Sequence, residues 1–146
     1  MTPMIDISPQ VAENAEEAGA PGRFRIKMVN RRRRAAVDIK LEVAIISIKG
    51  VKGGQIKVRE VVPTLNETPL ILPGRRSNGD DDNAYRMRMR VDLKEALADR
   101  QKYVRVRIFA RDEVSGFGKV SEMVYHNVRS DVIEGDFSKG QTFEIV

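Results

Sequence analysis

Residues 23–30 read RFRIKMVN and residues 36–48 read AVDIKLEVAIISI, and these two runs decide the fold. In the first, Phe24, Ile26 and Met28 alternate with Arg23, Arg25 and Lys27. Side chains on a strand point to opposite faces in turn, so the apolar set lines one sheet face and the basic set the other. In the second, Val37, Ile39, Leu41, Val43 and Ile45 alternate against Asp38, Lys40 and Glu42, which predicts a longer strand running to about Ile48. Asn30 with Arg31, Arg32, Arg33 and Arg34 forms the polar turn between them.

The same period continues outward. Gly50, Gly53 and Gly54 signal a hairpin into a third strand through Ile56 and Val58, which Pro63 closes. A short apolar run between Pro69 and Pro73 fits only an edge strand, and GRRSNGDDDN at 74–83 reads as a surface loop. Tyr85, Met87, Met89 and Val91 alternate with Arg86, Arg88 and Arg90. Asp92 then stands as the N-cap of DLKEALADR (92–100), the one good helical segment, with Glu95 three residues later. Val104, Val106, Ile108 and Ala110 form another strand, DEVSGFG (112–118) turns the chain, VSEMVY pairs back and QTFEIV closes it. Seven or eight short strands with one short helix predict an all-β, immunoglobulin-like β-sandwich of the E-set kind.

Residues 1–22 carry Asp6, Glu13, Glu16 and Glu17 without a single Lys or Arg, inside a chain of net charge +5. Pro3, Pro9, Gly19, Pro21 and Gly22 limit any helix there, so the reading is a flexible acidic tail (1–22) ahead of one basic domain (23–146). A basic domain expects an anionic partner. The 146 residues contain no cysteine, which removes disulfides and Cys-based metal or redox sites. No stretch approaches the roughly 18 apolar residues of a membrane span, and the N-terminus lacks a signal-peptide pattern, so a soluble chain is expected.

Catalysis is not expected. His126 is the only histidine, none of the serines sits in a nucleophile-elbow context, and SGFG lies between antiparallel strands instead of opening a helix. Asp80, Asp81 and Asp82 lack the spaced ligands of a calcium loop, since residue 91 is Val. No metal or cofactor is expected. The basic residues are the strong chemical feature, yet they lack interleaved aromatics or a nucleic-acid motif, so nucleic acid is not a favoured partner.

The segment RFRIKMVNRRRRAAVDIKLEVAIISI (23–48) resembles the start of the cytoplasmic domain of inward-rectifier potassium channels of the bacterial type. YVRVRIFARDEVSGFGKVSEMVYHNVRSDVIEGDFSKGQTFEIV (103–146) is similar to that domain's C-terminal end, and RVDLKEAL (90–97) echoes the segment between. The resemblance implies a gating domain that assembles as a four-fold ring and extends an ion pathway into the cytoplasm, at the inner face of the membrane. It implies that Asp38 lines that pathway and that Asp112, Glu113, Ser115 and Gly116 form the constricting turn. It also implies that Arg23 and Arg25 lie near anionic phospholipid headgroups, and that a transmembrane pore domain is a partner if the chain is part of a longer one. The tryptophan and histidine usual in the family's middle strands are missing, and Ser121 and Glu122 replace its Ala-Arg signature. The alternative is a stand-alone immunoglobulin-like module that binds an anionic partner, with Arg31, Arg32, Arg33 and Arg34 as further candidates for contact.

Overall fold

A computed structural model describes residues 1–14, 22–62, 71–76 and 82–146. The strands are β1 (Ile5–Ile7), β2 (Val11–Asn14), β3 (Arg23–Asn30), β4 (Ala36–Val51), β5 (Gly54–Val61), β6 (Ile71–Leu72), β7 (Ala84–Met89), β8 (Lys102–Asp112), β9 (Gly118–Tyr125) and β10 (Val132–Glu134). The helices are α1 (Leu93–Ala96) and α2 (Val128–Asp131). In the first sheet β3 pairs with β7 on one side. On its other side it pairs with β1 against Met28–Asn30 and with β2 against Arg23–Arg25, and β10 runs parallel to β2. The second sheet has the order β5-β4-β8-β9, with β6 also against β4.

The inward residues of both sheets share one core. Phe24, Ile26, Met28, Met87 and Met89 face Val43, Val104, Val106, Ile108 and Ala110, all buried. Burying each of the larger side chains contributes about 1.5–3 kcal/mol, which is why period-two patterning selects this pairing of faces. The protein is thus an all-β, two-sheet structure, as the alternation predicts.

Residues 1–14 differ from the expected tail. Ile5, Ile7, Val11 and Ala12 are buried, and the two short strands cover one edge of β3. Their separation at Ser8 and Pro9 follows from proline's missing N–H, which interrupts a ladder. Ser8 closes the gap: its N–H donates to Lys27 O (2.7 Å), its Oγ accepts from Lys27 N (3.1 Å), and its carbonyl accepts from buried Tyr125 Oη (2.7 Å). Burial lifts the Tyr125 phenol above the ordinary range. Four apolar residues, with polar gaps of unequal length between them, carry too weak a period to be read as strands. Residues 15–21 lie outside the described residues.

Four further differences have physical reasons. Where one helix was expected over 92–100, α1 covers only Leu93–Ala96, capped by Asp92, which accepts from Lys94 N and Glu95 N, and a second four-residue helix, α2, capped by Asn127, follows β9. In β4 the expected face of Val37, Ile39, Leu41, Val43 and Ile45 is broken, because Asp38 and Ile39 together oppose Ala110 in a β-bulge. Asp38 has φ +52°, a left-handed conformation that Asp tolerates better than most residues. The bulge turns Ala36 into the core and leaves Val37 half-buried. The segment expected to close the sheet as QTFEIV makes only an isolated bridge, Phe137 to Ile145.

The fourth difference is Lys27, which alternation assigns to an exposed face and which is fully buried. Residues 136–146 lie across the outer face of the first sheet as a strap, and Lys27 Nζ donates to the carbonyls of Ser138 (2.9 Å), Gly140 (2.8 Å) and Thr142 (2.8 Å). Those three acceptors are what a buried ammonium requires, since each of its protons needs a partner once water is excluded.

Candidate functional site

The chain leaves β3 at Asn30, and the polar turn that follows is held from several directions. Asn30 Nδ2 donates to the carbonyls of Arg34, Leu72 and Pro73 at 3.0, 3.2 and 3.2 Å. Arg31 N donates to Met4 O at 2.8 Å, and Arg75 N to Arg32 O at 2.7 Å. A Cβ on Gly74 would fall 1.9 Å from Arg33 O, so this crossing of two backbones needs glycine. The consequence is that Arg75 and Arg76, both exposed, join Arg31, Arg32, Arg33 and Arg34 at one end of the sandwich.

The turn after β8 meets the same end. Asp112 is buried, and its Oδ1 accepts from Ser115 N (2.8 Å), Val114 N (2.9 Å) and Arg34 Nη1 (3.4 Å). The hydrogen bond from Ser115 first, then that from Val114 with the Arg34 charge, hold the carboxyl below the usual range against the opposing cost of desolvation. Gly116, at φ +72°, returns its N–H to Asp112 O at 3.0 Å. Glu113 and Ala35 bond reciprocally: Glu113 N donates to Ala35 O (3.2 Å), and Glu113 Oε1 accepts from Ala35 N (3.1 Å). Ser115 Oγ bonds to Met1 O.

The two motifs that carry the resemblance, Arg31–Arg34 and Asp112–Gly116, therefore form one structural unit. The acids there are largely engaged: Asp6 pairs with Arg31 at 2.9 Å and Asp112 with Arg34. Arg33, Arg75 and Arg76 remain exposed to solvent beside them, as does Arg111, whose guanidinium lies 5.5 Å from the Phe109 ring centroid. Asp38 is exposed two residues into β4 from the same end.

Arg23 and Arg25 are not part of this unit. They open β3 while Arg31 follows its last residue, about 23 Å away at the rise of an extended strand. They belong to a second basic group on the outer face of the first sheet, where Arg25 stands directly opposite Arg88 and pairs with Asp136 at 3.4 Å. Partial desolvation, then Arg88 and Arg25, lower the Arg23 pKa from its ordinary value.

On the outer face of the second sheet Glu42 is shared between Arg105 (3.2 Å) and Arg59 (3.3 Å), and Glu122 holds Arg107 at 2.7 Å. Sequence reading placed Asp38 and Glu42 on one face of β4; the bulge puts Asp38 elsewhere, and Glu122 joins Glu42 as a neutralising acid. It missed Arg75 and Arg76, for which the second Arg-Arg pair was the available signal. His126 is exposed, with Nδ1 3.6 Å from Asp131 Oδ2. Asp80 and Asp81 lie outside the described residues. Among the described residues no helix is long and apolar enough to cross a membrane. No protein-family model matches the chain, and no curated protein matches it.

Proposed function

We propose that this chain is a non-enzymatic regulatory domain, an immunoglobulin-like sandwich similar to the cytoplasmic domain of inward-rectifier potassium channels, whose arginine end faces anionic phospholipid headgroups. The observation that supports this reading is the joining of the Arg31–Arg34 turn, with Arg75 and Arg76 bound beside it, to the Asp112–Gly116 turn by backbone and side-chain hydrogen bonds. A basic surface rigidly tied to a tight turn transmits a change at the headgroup to the turn, because the bonds between them leave little slack. In a four-fold ring at the inner face of the membrane, that turn is the constriction and Asp38 lines the ion pathway beside it.

Each Lys or Arg at an anionic surface contributes about 1 kcal/mol, so reversing two of the exposed charges in Arg33→Glu/Arg76→Glu weakens binding at least about tenfold. Co-sedimentation with phosphatidylserine-containing and with pure phosphatidylcholine vesicles, at low and high salt, measures this. Retention on the anionic vesicles alone, lost in salt and in the double variant, is the expected outcome; equal retention on both vesicles, or none, overturns the headgroup reading. Analytical ultracentrifugation tests the ring separately. A concentration-dependent tetramer supports it, and a monomer at high concentration selects the stand-alone immunoglobulin-like module with the same anionic preference.

A further inference from the structure

The β4–β5 hairpin carries an open strand edge far from the arginine end. Among the described residues β5 pairs only with β4, and all eight of its residues are exposed. Val62 N donates to Val43 O at 2.8 Å, and the register that continues from it pairs Glu60 with Ile45, Val58 with Ser47 and Ile56 with Lys49. Bonded and non-bonded pairs alternate along an antiparallel ladder. Glu60, Val58 and Ile56 therefore bond to β4, and the N–H and C=O groups of Gln55, Lys57, Arg59 and Val61 point away from it, toward the free edge.

The side chains along that edge have a definite order. Lys57 and Arg59 share the outer face with Lys40, Arg105 and Arg107, and among the described residues the carboxylates amid these cations are those of Glu42 and Glu122. Ile56 and Val58, exposed at 47% and 39%, occupy the other face. A second copy of the chain is a poor occupant. Two-fold antiparallel pairing places residues of the same face opposite each other, so its central registers set Lys57 against Lys57, Lys57 against Arg59, or Arg59 against Arg59, each destabilising. The cations thus protect the edge from self-association, as edge lysines commonly do, while leaving its backbone groups available to a strand of opposite charge.

We propose that β5 is a docking edge for an extended acidic protein segment, one in which Asp or Glu alternates with aliphatic residues. The segment adds a strand to the second sheet: its backbone bonds to Lys57 and Arg59, its carboxylates meet their side chains, and its aliphatic residues cover Ile56 and Val58. Neither the arginine end nor membrane contact takes part.

The test is fluorescence anisotropy of the full chain with a labelled peptide of alternating Glu and Val, its Lys–Val counterpart, and the Glu–Val peptide N-methylated at alternate residues. Lys57→Pro removes an edge N–H that β4 does not use and leaves the hairpin register intact, which circular dichroism and thermal melting verify. Binding of the Glu–Val peptide, weakened at least tenfold by N-methylation and by Lys57→Pro, is expected. Lys57→Glu/Arg59→Glu transfers the preference to the Lys–Val peptide. Undiminished binding of the N-methylated peptide, equal binding of a single-stranded oligonucleotide, or no binding to the folded protein overturns the proposal; the last would leave the cations a purely protective role.

Discussion

Asp112 shows how one side chain organises an end of the molecule. Its carboxylate collects two backbone N–H groups and a guanidinium while almost wholly excluded from water, and these donors favour the ionised form by more than the desolvation opposes it. Since the folded-state pKa lies below the ordinary 3.8, the stabilisation is complete above that pH and is lost as pH falls through the lower folded value. Urea unfolding of the wild type from neutral pH down to about 2.5 therefore shows an acid limb steeper than that of Asp112→Asn, which starts less stable at neutral pH. Equal limbs would mean that another carboxylate dominates acid unfolding. A neighbouring Glu, a Ser and a Gly mark this turn in the sequence; that Asp112 faces inward against Arg34 does not follow from them, because the partner comes from a turn 78 residues away.

At the scale of the element, β4 is the strand whose pattern is both most legible and most altered. Its length and its continuation into a glycine hairpin follow from alternation and turn chemistry. Its bulge does not, because Val37 and Ile39 keep perfect alternation through it. The signal that exists is chemical: Asp38 is one of the few residue types at ease with positive φ. Asp38→Gly is expected to keep or slightly raise stability, whereas Asp38→Val loses about 1–2 kcal/mol in urea denaturation, the cost of holding a β-branched residue in the left-handed region. A neutral valine substitution would show that the bulge slides and that Ala36 gives up its place in the core. The same reasoning explains α1, where the Asp92 cap was readable but the helix stops at Ala96 because β8 must begin at Lys102.

At the scale of the whole molecule, the C-terminal strap joins pieces that are distant along the chain. Besides the three carbonyls around Lys27, Arg31 Nη1 donates to Gln141 O at 2.7 Å, its guanidinium lies 5.1 Å from the Phe143 ring centroid, and the side-chain amides of Asn83 and Gln141 bond reciprocally at 2.7 Å. The strap thereby reaches the root of the arginine end. Lys27→Met leaves the half-buried carbonyls of the strap without their donor and costs about 3 kcal/mol. Hydrogen exchange at residues 137–146 quickens in this variant, while exchange in β8 changes only with global stability. Unchanged protection of the strap would show that its remaining contacts hold it without the ammonium.

Alternation of apolar and charged residues by itself determined that this chain forms strands, that two sheets share one core, and that a helix begins after Asp92. These are local consequences of a two-residue period and of capping, so they can be read without knowing what lies opposite. Only the tertiary structure decided that residues 1–14 belong to a sheet, that Lys27 is buried, that Arg75 and Arg76 join Arg31–Arg34, and that Arg23 and Arg25 do not. In each case the deciding partner is remote in sequence. A side chain's pattern states which face it occupies, but what covers that face depends on where the rest of the chain returns.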